Sequence, residues 1–233
     1  ITAMVTYLKE GMKFCMWHPD VRPVLALVDP ELTLGLPSSL TAWTGVDAMV
    51  HAIEGYCVPG FHPLCDGSAI ESLSLISKSL YQAVEEPKNL VARGGMHVGS
   101  YLGGIAFLKG LGLVHAISHM VGAEFNTQHG LTNAIILPVV LRYNLSGMDE
   151  KVKRMSEAMQ FEEHSIESFI NNIEKMLDRL QIPKSLSEIG VPEDCAERIA
   201  EKAMKDQAYA TNPKIASLAE VKEMTLASIK KAR

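Results

Sequence analysis

The hydrophobic pattern of this chain changes period at Pro37, and that change limits what the chain can become. Beyond Pro37, apolar residues recur at three- and four-residue spacings, the signature of helices that bury one face. Ser38 or Ser39 is placed to cap a helix through "LTAWTGVDAMVHAIEGY", which must stop before Pro59-Gly60. Further helices are predicted over about 66–84, 90–107 and 113–122. Another runs from after His129-Gly130 to the Tyr143-Asn144 region, with Pro138 expected to kink or divide it. The C-terminal third reads as amphipathic helices, the last opening on a capping box from Ser217 to Glu220. Residues 1–36 read differently. "ITAMVTYL" and "KFCMW" look like short strands about the turn Lys9-Glu10-Gly11, and "PVLALVD" like a buried strand. The fold class is therefore mainly α: an all-helical domain over 37–233 preceded by a short β remnant over 1–36.

With 233 residues, 47% of them hydrophobic and 21% charged, the chain can build a core without staples, and this mix argues against disorder. A net charge of -5 argues against a nucleic-acid partner, which would call for a basic face. Cys15, Cys57, Cys65 and Cys195 are scattered with no C-x-x-C pair, which speaks against a disulfide framework or thiolate zinc site and for a reducing cytoplasm. The stretch nearest to a membrane span, 98–121, carries Lys109, His115 and His119. Its spaced glycines suit close helix contacts within a protein, so no membrane role is expected. Phosphate-cradling loops and a Gly-x-Ser-x-Gly elbow are both missing from the sequence.

The chemistry lies in polar residues set among apolar ones. Asp47 and His51 are four apart on a predicted helix and share a face, as do His115 and His119; His129 follows just before another helix start. The plainer reading is a buried hydrogen-bonded pair and a set of satisfied core histidines. Taken together, Asp47, His51, His115 and His129 offer one carboxylate and three imidazoles, a set suited to iron(II) or zinc and poorly suited to magnesium or calcium. His119 is then one ligand too many and would serve as a proton carrier, or it binds the metal in place of His129; spacing leaves both open. His18 and His62 each precede a proline in a turn and read as surface residues, His97 has no assigned role, and the twelve Met read as core filler.

"DPELTLGLPSSLTAWTGVDAMVHAIEGY" and "GLGLVHAISHMVGAEFNTQHGLTNAIILPVVLRYN" resemble the iron-containing (group III) alcohol dehydrogenases, and the likeness extends to "ATNPK" near the C-terminus. The resemblance implies a dehydroquinate-synthase-like architecture and places the metal ligands on Asp47, His51, His115 and His129. It places His119 beside the nicotinamide as proton relay, and Lys13 where the family has a lysine close to the cofactor. It implies NAD- or NADP-linked interconversion of a small alcohol and its aldehyde or ketone, with Fe(2+), or Zn(2+), as Lewis acid, in a homo-oligomer. The family's Gly-Gly-Gly-Ser pyrophosphate motif does not occur here, so the chain reads as beginning just after a nucleotide-binding domain and as inactive alone. A metal-binding helical module without catalysis is the alternative, as is a maleylacetate-reductase-like or glycerol-dehydrogenase-like protein on the same scaffold.

Overall fold

The computed structural model describes residues 3–7, 9–16, 18, 20 and 23–233. Residues 1, 2, 8 and 17 of the predicted strands and the Cys15 side chain lie outside the described ones. Strands β1 (Ala3–Tyr7) and β2 (Met12–Met16) pair antiparallel, Val5 opposite Phe14 and Thr6 opposite Lys13. Gly11 closes the turn between them at φ +56°, where a side chain would be strained. The predicted third strand does not form. Residues 23–29 carry no regular structure, and Leu25 and Leu27 are 79% and 84% exposed. A strand needs a neighbour to complete its ladder, and no described strand pairs with this run.

Helices follow in the predicted order: α1 (Ser38–Cys57), α2 (Pro63–Glu85), α3 (Leu90–Ala106), α4 (Leu113–Phe125) and α5 (His129–Asn144). Then come α6 (Asp149–Ala158), α7 (Ile166–Arg179), α8 (Ala196–Ala203), the single turn α9 (Gln207–Ala210) and α10 (Leu218–Lys230). Helix α1 runs through the middle, packed on α2, α3 and α5, and its Val46, Met49, Val50 and Ile53 are fully enclosed. It starts without a side-chain cap. The Ser38 hydroxyl instead donates to Val84 O, tying the start of α1 to the end of α2. His62, read as a surface residue, caps α2 by accepting from Cys65 N. Pro138 does not divide α5: residues 130–138 are all buried, and this packing outweighs the missing donor. The Ser217–Glu220 capping box forms as read.

Gly99 and Gly103 of α3 make the close contacts their spacing suggested, whereas Gly104 meets nothing within 4 Å. A Cβ at Gly99 would stand 2.8 Å from the Ile76 side chain, and one at Gly103 would stand 3.0 Å from Ala48 O. Among the described residues no single helix is long and apolar enough to cross a membrane; α3 with its trailing turn and α4 reach that length only as a pair bent by 104°. That bend delivers the start of α4 into the core beside α1.

Candidate metal centre

Four side chains meet where α1, α4 and α5 come together. The Nε2 atoms of His51, His115 and His129 lie 3.9, 3.8 and 3.6 Å from Asp47 Oδ1. These separations are too long for hydrogen bonds. They are close to the roughly 3.4 Å that separates two ligands each about 2.1 Å from a tetrahedral ion. One ligand atom from each residue falls within 4.8 Å of all the others, and the donor set of one carboxylate and three imidazoles fits a divalent transition ion. His119 stands outside this group, its ring stacked 5.5 Å from that of His129.

Each part of the cluster is held from behind. Glu54, three residues after His51 on α1, is 5% exposed and accepts from Val114 N at 2.8 Å and His115 N at 3.4 Å. Its Oε2 also lies 2.7 Å from His115 Nδ1. An Nδ1–H donated to this carboxylate leaves the Nε2 lone pair facing Asp47. Glu54 thus serves as the cap that Gly112 cannot supply to α4, and it orients the imidazole in the same contact. His119 is treated alike: its Nδ1 lies 2.9 Å from Asp206 Oδ2, while Asp206 Oδ1 caps α9 through Ala208 N. Asn133 donates to Asp47 Oδ1 at 2.6 Å and fixes that carboxylate. Two buried polar atoms beside the cluster, His129 Nδ1 and Asn133 Oδ1, have no hydrogen-bond partner. Lys13, half-buried on β2, reaches over Gly122 near the end of α4, one turn beyond His119. Burial lowers its pKa, and the nearby Asp47 opposes that shift.

Gly130 allows the approach. A Cβ there would collide with Trp43 O and stand 3.1 Å from Asp47 Cβ, so only glycine lets the first turn of α5 abut α1. Gly130→Ala is expected to lower stability by about 1–3 kcal/mol and weaken metal uptake, because the clash pushes His129 away from Asp47. Urea melts and metal titration of the same variant check both effects.

Glu54→Gln keeps the shape but replaces one of the two carboxyl oxygens that meet Val114 N, His115 N and His115 Nδ1 with an amide nitrogen. Metal affinity should fall about 10- to 100-fold, the usual effect of losing an outer-shell partner, as measured by competition with a chelating dye. Burial pushes the Glu54 carboxyl up to about 8, against the backbone N–H groups of Val114, Gly112 and His115. Burial holds His115 well below its usual 6.5 and brings His129 down to about 4, with Asp47 opposing the latter shift.

The signs of these shifts differ. The unfolded imidazoles take up protons below about 6.5 and the folded ones resist, so their contribution to stability is lost as pH falls from 6.5 toward 4. Glu54 acts the other way, losing its contribution as pH rises from about 4.5 through 8. In EDTA, His129→Asn should flatten the fall of melting temperature below pH 6.5, whereas Glu54→Gln, which removes the opposing group, should steepen it. Calorimetric scans at stepped pH measure both slopes.

Residues 41–229 match the sequence profile of the Fe-containing alcohol dehydrogenase family, C-terminal domain. The chain belongs to that family. It is 36% identical over 231 residues to a 4-hydroxybutyrate dehydrogenase of Cupriavidus necator, covering 94% of this chain and 59% of that protein. It is 33% identical over 229 residues to an NAD-dependent methanol dehydrogenase of Bacillus methanolicus, covering 95% and 60%. A crystal structure of 1,3-propanediol oxidoreductase superposes with a TM-score of 0.92 at 34% identity, covering 98% of this chain and 62% of that one. The chain therefore spans about three-fifths of the length of these relatives.

The sequence expectation grouped the same four residues that the fold brings together. It missed Glu54, Asp206, Asn133 and Gly130. Glu54 had a usable signal, since positions 47, 51 and 54 share one helical face. Asp206, 87 positions from His119, had none.

Proposed function

We propose that this chain is the metal-binding half of an NAD(P)-linked alcohol dehydrogenase that interconverts a small alcohol and its aldehyde or ketone. The observation that carries this reading is the convergence of three imidazole Nε2 atoms on Asp47 Oδ1 in a member of this family. Asp47, His51, His115 and His129 would hold iron(II) or zinc, which supplies Lewis acidity toward the substrate oxygen. Two of the three imidazoles have their charged form suppressed by burial, which keeps them available as neutral ligands. His119 is the proton carrier: Asp206 fixes its Nδ1, leaving Nε2 to exchange a proton with the substrate hydroxyl. Lys13 would lie close to the cofactor, a reading supported by its position over Gly122 on the His119 side.

On this reading residues 1–36 belong with a nucleotide-binding domain and 37–233 form the helical one. The protein acts as a homo-oligomer in the cytoplasm, a compartment that suits the free thiols of Cys57, Cys65 and Cys195 among the described residues. The test joins this chain to a nucleotide-binding half of the family and follows NAD(P)H formation with a series of alcohols. Metal-dependent turnover by the joined protein, and none by the chain alone, is expected. Turnover by the chain alone would overturn the half-enzyme reading, and a bound ion without turnover in the joined protein would leave a metal-binding module.

A further inference from the structure

Asn133 lies on α5 one turn beyond His129 and is wholly buried. Its Nδ2 stands 2.6 Å from Asp47 Oδ1, 3.2 Å from His115 Nε2 and 3.1 Å from His129 Nε2. It therefore covers the side of the cluster that these three ligand atoms bound, and His51, the fourth, is not among its contacts. The Asp47 carboxylate, which can only accept, decides which amide atom faces the cluster. The NH2 group must point in, and Oδ1 must turn away.

The amide serves no other visible purpose. Its Oδ1 is buried with no donor in reach, a cost that an apolar side chain at this position would not carry. A residue kept for packing alone would resemble Ala134, Ile135 and Ile136 beside it, which are apolar and fully enclosed. The side-chain contacts of Asn133 end instead on candidate metal ligands.

The other sides of the cluster differ. The His119 ring lies 5.6 Å from that of His115 and 5.5 Å from that of His129, so it borders the edge between them. Two sides share that edge: the one under Asn133, and the one made by the three imidazoles, opposite Asp47. The Phe107 ring borders the second at 5.0 Å from the His51 ring. His51 and His129 are partly exposed, whereas His115 and Asn133 are buried.

We propose that Asn133 is a positioning residue that keeps Asp47 Oδ1 turned toward the ion and closes the inner side of the site to water. The substrate oxygen is thereby directed to the three-imidazole side, between His119 and Phe107. The proposal rests on the four-ligand site of the dehydrogenase reading. It adds the direction of approach, which sets the substrate hydroxyl beside the proton carrier.

Two substitutions test it through metal binding and spectroscopy. Asn133→Ala frees the Asp47 carboxylate and leaves room for water on the inner side. Its zinc affinity should fall about 10- to 100-fold in competition with a chelating dye. The visible band of the cobalt(II)-loaded variant should weaken as water joins the four protein ligands. In EDTA its melting temperature should stay close to that of wild type, because losing the orphaned Oδ1 offsets the lost packing.

Asn133→Asp sets a second carboxylate against the first. It should be less stable than wild type in EDTA, yet zinc should raise its melting temperature by more than it raises that of wild type. A residue that only packs would lose stability alike with and without zinc. An unchanged zinc affinity or cobalt spectrum in Asn133→Ala, or a zinc response in Asn133→Asp no larger than that of wild type, would each overturn the proposal alone. A wild-type chain that binds neither ion would overturn the metal site and the proposal with it.

Discussion

Purified anaerobically and reconstituted with iron(II) or zinc, the chain should retain about one ion per molecule, and His115→Ala should retain none. His115 is the most buried of the four candidate ligands, at 1% exposure, and its ring is fixed by the Glu54 contact. Removing it deletes a donor that no neighbour can replace. His119, the nearest other imidazole, is held by Asp206 and lies outside the cluster. Loss of an outer-shell partner already weakens metal sites 10- to 100-fold, so loss of this ligand should exceed about 100-fold. Elemental analysis after gel filtration reads the result directly. Wild type and variant binding equally would refute the four-ligand assignment.

The second large effect concerns the proton. In the protein joined to its nucleotide-binding half, His119→Ala should lower kcat by about 10²- to 10⁴-fold, the range typical of a lost general acid–base group. Metal content should be unchanged, since His119 takes no part in the cluster. Asp206→Asn should reproduce part of the loss, because it weakens the contact that orients the His119 ring. A His119→Ala protein that keeps its turnover, or that loses its metal, would show that the residue has been given the wrong task. The pH profile of the remaining activity separates proton transfer from simple packing.

The helices were legible because their apolar period is strong, and the four clustered residues because each is a polar side chain at helical spacing within an apolar run. The remainder depended on partners that local sequence does not encode. "PVLALVD" has the composition of a buried strand, but composition reports that a segment needs cover and not what covers it. Ser38 has the right chemistry for a cap, yet its hydroxyl goes to Val84 on another helix. Pro138 lies in a helix whose continuity is set by its neighbours. Glu54 is an ordinary helical residue by composition, and only the arrival of α4, delivered by the bend after α3, makes it a buried carboxylate with three ligands of its own.

The candidate ligands come from three helices that are far apart along the chain and adjacent in space. An ion held by α1, α4 and α5 at once is a cross-link between distant chain segments, and it acts on the unfolded chain much as a disulfide does. Among the described residues its candidate ligands come from these three helices, and α7, α8 and α10 supply none. Opening of the C-terminal helices can therefore proceed with the ion in place, whereas separation of α1 from α5 must first release it. The ion divides the domain into a clasped half and a free half, and amide hydrogen exchange would see that boundary near the end of α5.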